Sequence, residues 1–180
     1  MDIVLSLVAL TLLWPLLVLA AVAIIIDSGL PVLFVQTRVG KNGKLFGILK
    51  FRSMRRNAAT TGPYFTEADD QRITAVGRFL RRSSIDELPQ IINVLKADMS
   101  LVGPRPDLPV QQALYCAKDW VLRCSVRPGI TGLAQVTGRS ESTFERRLAL
   151  DLEYVKQVCW QQDVRIMWWT LCQLRGKHSN

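Results

Sequence analysis

Apolar residues run almost unbroken from Ile3 to Ile26, interrupted only by Ser6, Thr11 and Pro15. A run of this length suffices to cross a hydrocarbon core, which takes about 20 residues of helix. Pro15 removes a backbone donor and crowds the preceding turn, so a bend or break is expected near the middle. Two forms follow: a single-pass anchor that tolerates its proline, and a helix-break-helix that enters and leaves by the same face. A cleaved secretory leader is not expected. Asp2 is acidic, no Lys or Arg precedes Arg38, and three isoleucines follow Ala21-Val22-Ala23. The basic residues all lie on the C-terminal side, which predicts a globular part in the cytoplasm.

Beyond the glycine stop at Asp27-Ser28-Gly29, apolar runs at 31–36 and 44–51 flank Lys41-Asn42-Gly43. Asn-Gly between such runs predicts a β-hairpin, because both residues accept positive φ. Gly40, Gly43 and Gly47 have neither dinucleotide nor P-loop spacing and read as turn and bulge glycines. Residues 57–67 carry no period and read as a loop. Helical spacing returns with Ile73, Val76, Phe79 and Leu80, and again over 88–95. Ser84 and Glu87 fit a capping box, although Pro89 makes a start near Asp86 equally consistent; both place the acids at a positive helix end. Residues 127–132 and 137–139 are rich in turn formers. An amphipathic helix is expected from Phe144 to about Tyr154, and 164–175, with Trp168 and Trp169 between basic flanks, reads as an interfacial or core helix.

The expectation is thus a helix-dominated α/β protein in two parts: a membrane segment over 1–27 and one domain over 28–180, large enough to bury a core. The 23 Lys and Arg against 15 Asp and Glu give a formal +8, which suits nucleic acid, an anionic membrane surface or phosphorylated substrates. Cys116, Cys124, Cys159 and Cys172 form no CxxC pair and His178 is alone, so no zinc site of the usual ligands is expected and the thiols read as reduced.

Charge narrows at Ser84-Ile-Asp-Glu-Leu-Pro-Gln90, where Asp86 and Glu87 follow Arg81-Arg82 and precede Gly103-Pro-Arg-Pro106. An isolated Asp-Glu pair ordinarily complements a helix dipole, worth about 0.3–1 kcal/mol. Here Lys50, Arg52, Arg81, Arg105, Arg127 and Arg139 bring more positive charge than two acids need. For a diphosphate substrate, one carboxylate holding a divalent cation and the other attacking phosphorus would form an acyl phosphate, with arginines on the leaving oxygens. A membrane-anchored protein binding nucleic acid or anionic lipid would also explain the charge, but leaves the acid pair unused, and no nucleic-acid motif is present. A catalytically retired scaffold is a third reading, which the intact acids disfavour.

Taken in order, Gln36-Thr-Arg-Val-Gly40, Lys50-Phe-Arg-Ser-Met54, Arg72-Ile-Thr-Ala-Val-Gly77, the Asp86-Glu87 stretch, Met99-Ser-Leu-Val-Gly-Pro-Arg-Pro106 and Pro128-Gly-Ile-Thr-Gly132 resemble the bacterial sugar transferases. These are monotopic polyprenyl-phosphate phosphoglycosyl transferases, and the likeness is to their small catalytic core. The resemblance implies transfer of a sugar-1-phosphate from a UDP-sugar to polyprenyl (undecaprenyl) phosphate, with release of UMP. It implies a ping-pong route with Asp86 as nucleophile, Glu87 on Mg²⁺, Arg81 against the polyprenyl phosphate, and Lys50, Arg105, Arg139 and Asp151 near the nucleotide sugar. It further implies a re-entrant N-terminal helix and membrane-interfacial helices, on the cytoplasmic leaflet of a bacterial inner membrane. The family breaks that helix at Ser-Pro, where this chain has Trp14-Pro15. A homodimer through Trp160 and the Trp168-Trp169 pair is conceivable; the sugar is not legible.

Overall fold

In the computed structural model, which describes residues 1–56, 70–137 and 143–176, the apolar run forms one helix, α1 (Asp2–Ser28). Pro15 lies inside it and does not interrupt the helical assignment, so the expected break is absent at this level. Proline leaves the carbonyl of Thr11 without its usual donor. In the turn before it, the Thr11 hydroxyl donates to the carbonyls of Leu7, at 3.1 Å, and Val8, at 2.9 Å. Such back-bonding bends helices slightly, so the hydroxyl expected beside the proline is supplied one turn earlier. Gly29, at φ 79°, ends the helix and donates to the Ile25 carbonyl, as the sequence predicts.

The hairpin is β1 (Leu33–Val39) with β2 (Leu45–Phe51), antiparallel, Leu33 opposite Phe51 and Val39 opposite Leu45. Its turn places Asn42 at φ 55° and Gly43 at φ 78°. Gly47 is not a bulge, since it pairs with Thr37 in an unbroken ladder. It is small because a Cβ there would lie 2.8 Å from Val35 Cγ1.

Helix α2 (Ala75–Arg82) starts at Thr74, whose Oγ1 accepts from the Gly77 amide at 2.9 Å. Ile73 precedes the helix and forms a strand-like bridge with Met54. Leu80 is buried, whereas its neighbour Phe79 is 64% exposed. Glycine at 77 lets this helix touch the backbone of Ser53: a Cβ would stand 2.0 Å from the Ser53 carbonyl oxygen. A 3₁₀ turn (Ile85–Glu87) leads to α3 (Gln90–Leu95) and β3 (Ser100–Val102). A long excursion through a 3₁₀ turn (Pro109–Leu114) and α4 (Ala117–Arg123) returns as β4 (Gly129–Thr131), parallel to β3. Sequence reading took 127–132 as turn alone. The chain continues through α5 (Leu133–Thr137), α6 (Phe144–Lys156) and α7 (Trp160–Gly176), where Trp160 and Trp168 are exposed. The loop expected at 57–67 lies outside the described residues.

The core is divided among several clusters. Val102, Leu133, Leu150, Tyr154 and Ile166 pack beneath β3, while Ile48, Val94 and Met99 join the hairpin to α3. A third cluster, Ala20, Ile24, Phe51 and Leu80, fastens α1 to β2 and α2. Along α1 the inward residues Ser6, Leu10, Leu13, Leu17, Ala20 and Ile24 recur every three or four positions, one stripe of the helix. Leu12, Leu19 and Ile26 point outward into apolar exposure. Both helix ends are bonded to the same domain: Ser100 Oγ donates to Asp2 Oδ2 at 2.7 Å, and Arg52 Nη2 to Ser28 Oγ at 2.9 Å.

Candidate active site

The two acids sit on the 3₁₀ turn, not in a helix. Ser84 adopts φ 59° and makes no side-chain cap, so the capping box does not form. Pro89, which cannot donate, stands at the N-cap of α3, and the acids precede that helix. Ile85, between Ser84 and Asp86, packs against the cluster of Phe51 and Leu80, which turns the carboxylates away from it.

Glu87 is the electrostatic centre. Its Oε1 accepts from Lys50 Nζ at 2.7 Å and from Arg105 Nη2 at 2.5 Å, while among the described residues Oε2 has only a 3.4 Å contact from Arg105 Nη1. Burial alone would raise its pKa, but the charges of Arg105 and Lys50 outweigh it and hold the carboxyl at about 2. Asp86 differs in every respect. It is 9% exposed and makes no hydrogen bond among the described residues. Burial, then the neighbouring Glu87 charge, pushes it up to about 6, against the pull of Lys50, Arg81 and Arg105. Lys50 is itself lowered, burial outweighing its ion pair with Glu87. One acid is thus fixed as an anion while its neighbour titrates near neutrality, the separation expected where two carboxylates take different roles.

Three segments distant in sequence make this arrangement. Strand β2 supplies Lys50, the turn supplies the acids, and the loop after β3 supplies Arg105, half-exposed at 48%. Arg81, at the end of α2, donates from Nε to Ser53 Oγ at 2.8 Å, and its charge acts on Asp86. Asp151, on α6, is buried at 2% exposure and accepts from Arg123 Nε at 2.9 Å rather than contacting Glu87 or Lys50. Burial, ahead of the lowering by Arg123, raises its pKa. Arg139 lies outside the described residues.

Residues that sequence reading passed over surround Arg105. Arg123 also meets Asp107 Oδ2 at 2.6 Å and donates to the Arg105 carbonyl at 2.6 Å. Tyr115 donates to the same Asp107 oxygen at 2.7 Å. Nothing in their spacing marks them, because the partners are 8 to 28 residues apart on separate elements.

A divalent cation fits with few protein ligands. No group of three metal-binding acids, histidines or cysteines occurs among the described residues. Glu87 Oε2, which carries only the long 3.4 Å bond from Arg105 among the described residues, is the oxygen that would hold Mg²⁺, an ion commonly held by one or two carboxylates with water and substrate phosphates.

The family described as bacterial sugar transferase matches residues 1–177. The chain is 43% identical over 176 residues to a UDP-glucose:undecaprenyl-phosphate glucose-1-phosphate transferase of Caulobacter vibrioides, covering 93% of this chain and 65% of that protein. It is 42% identical to a UDP-N-acetylgalactosamine-undecaprenyl-phosphate N-acetylgalactosaminephosphotransferase of Aeromonas hydrophila, covering 95% of this chain and 42% of the relative. With an undecaprenyl-phosphate galactose phosphotransferase of Salmonella typhimurium it shares 40% identity, over 94% of this chain and 38% of the other. The chain therefore spans from under two fifths to just under two thirds of these relatives.

Proposed function

Because the chain belongs to the bacterial sugar transferase family, we propose that it moves a sugar-1-phosphate from a UDP-sugar to a polyprenyl phosphate such as undecaprenyl phosphate, releasing UMP. The observation that carries this reading is the asymmetric acid pair: Asp86 buried and without a hydrogen bond among the described residues, Glu87 held ionised by Lys50 and Arg105.

Above about pH 6 Asp86 is a carboxylate with no hydrogen-bond donor on it among the described residues, a state suited to attack. One of its oxygens bonds to the phosphorus bearing the sugar, and the bond from that phosphorus to the bridging oxygen breaks. UMP departs with the bridging oxygen, leaving an acyl phosphate on Asp86. An oxygen of the polyprenyl phosphate then attacks the same phosphorus and returns Asp86 as a carboxylate. Lys50 and Arg105, which flank Glu87, would meet the donor's diphosphate, and Arg81, whose charge acts on Asp86, would meet the lipid phosphate. Mg²⁺ held at Glu87 would neutralise charge on the phosphate oxygens.

The acceptor is a lipid, so the site belongs at a membrane surface. Helix α1 is long and apolar enough to cross, yet hydrogen bonds at Asp2 and Ser28 join both of its ends to one domain. For an unbroken helix this supports a seat along one side of the membrane, the cytoplasmic one, with both helix ends on that side and Asp86 near the headgroups. The three relatives name glucose, N-acetylgalactosamine and galactose, so the donor is found by assay. Purified protein with Mg²⁺, undecaprenyl phosphate and a panel of UDP-sugars should release UMP with one donor, and Asp86→Ala should release none. Equal release by Asp86→Ala would overturn the reading.

A further inference from the structure

The loop that carries Arg105 is held at every carbonyl from Pro104 to Asp107. The Gly129 amide bonds the Pro104 oxygen at 3.0 Å, Arg123 Nη2 the Arg105 oxygen at 2.6 Å, Arg38 Nη1 the Pro106 oxygen at 3.1 Å, and the Val39 amide the Asp107 oxygen at 2.9 Å. Prolines on either side of Arg105 fix the adjoining φ angles. The Arg105 side chain itself is half-exposed, so packing does not hold it; its direction follows from its backbone and from Glu87. The bond to its own carbonyl therefore has more consequence for the guanidinium than the other three.

The donor of that bond is exceptionally well fixed. Arg123 is 5% exposed and spends its planar fork on three acceptors: Asp151 Oδ2 through Nε, Asp107 Oδ2 through Nη1, and the Arg105 carbonyl through Nη2. Tyr115 closes the arrangement from above, its ring 5.5 Å from the guanidinium carbon and its hydroxyl on Asp107. Two carboxylates beside one guanidinium would suffice for a buried ion pair. Neither of them explains why the third arm reaches a carbonyl in the loop facing Glu87.

We propose that Arg123, oriented by Asp107, Asp151 and Tyr115, is a positioning residue that sets the Arg105 guanidinium against Glu87 and hence against the donor's diphosphate. The proposal rests on the phosphoglycosyl transfer assigned above. On this account Asp151 acts through Arg123, and Arg105 alone of these residues touches substrate. Lysine at 123 would keep the charge between the two carboxylates, but one ammonium on a flexible stem does not reproduce the fork to all three acceptors.

The test compares wild type, Arg123→Lys, Arg105→Ala, Arg81→Ala and the two double variants. Arg123→Lys should lower kcat/KM for the UDP-sugar roughly 30- to 100-fold, as misplacement of a binding group does. In the Arg105→Ala background the same change should cost less than about threefold, whereas beside Arg81→Ala it should keep its full effect. Equal losses in both backgrounds would overturn the proposal. A second readout needs no turnover: phenylglyoxal modification of Arg105, followed by mass spectrometry, should quicken several-fold in Arg123→Lys. Tyr115→Phe, which leaves Arg123 in place and removes one bond to Asp107, should shift both readouts in the same direction by less. An unchanged Arg105 modification rate in folded Arg123→Lys would also overturn it. Absence of UMP release by wild type would instead refute the assigned reaction, with the modification rates still deciding the positioning.

Discussion

Asp86 and Glu87 share one turn, yet one titrates at about 6 and the other at about 2. The sign of each shift gives a separate prediction. The attacking group must be ionised, so kcat/KM for the UDP-sugar should fall as pH drops through about 6 and level off above it, in a pH–rate profile of the first half-reaction. Asp86 also binds its proton more tightly folded than unfolded. Its contribution to stability is complete below the ordinary carboxylate range and is lost as pH rises through about 6. Asp86→Asn should therefore raise the melting temperature at neutral pH by a few degrees while abolishing UMP release and any covalent phosphosugar adduct. Glu87 is the converse: its contribution is present above the ordinary range and lost as pH falls toward about 2. Glu87→Gln should lower the melting temperature at neutral pH, leaving Lys50 and Arg105 without their shared anion. Thermal melts of the three proteins in one detergent decide both signs. Adjacency in sequence located the pair. The asymmetry was not legible, because it comes from the burial of Asp86 and from the ion pairs of Glu87 with Lys50 and Arg105, 37 and 18 residues away from it.

Local chemistry announced some elements and not others. The hairpin was readable because Asn42 and Gly43 state their backbone angles in their own side chains. Strands β3 and β4, three residues each, are too short to show a period, and their pairing depends on bare backbone approach at Gly103 and Gly129. The capping box misled at Ser84, since a left-handed residue there points the chain into a 3₁₀ turn. Helix α2 offers the sharpest test of how an element is seated. Thr74→Ala removes its N-cap and should cost about 1 kcal/mol. Gly77→Ala should cost more, about 2–3 kcal/mol, because the added carbon meets backbone at Ser53 and cannot be relieved by a side-chain rotation. Ser53 holds Arg81, so Gly77→Ala should also weaken use of the lipid acceptor more than of the UDP-sugar, measured as separate KM values.

For the whole molecule, composition and periodicity anticipated a helix-dominated α/β chain with one long apolar helix. Its buried stripe was hidden, because the apolar residues of α1 surround the helix while the most buried of them fall on the stripe from Ser6 to Ile24. Topology is open to direct measurement. A cysteine at position 1, in a chain whose four native cysteines are replaced, should react with a membrane-impermeant maleimide from the cytoplasmic side alone. Reaction from the opposite side would make α1 a spanning anchor. About 40 Å of helix fastened at both ends to one body also acts mechanically. Seated in one monolayer, as proposed above, it would enlarge that monolayer and leave the opposing one unchanged, and a bilayer relieves such a mismatch by bending so that the enlarged side is convex. Reconstituted protein should therefore gather on narrow membrane tubes in preference to flat sheets, concentrating its product where the surface is most bent.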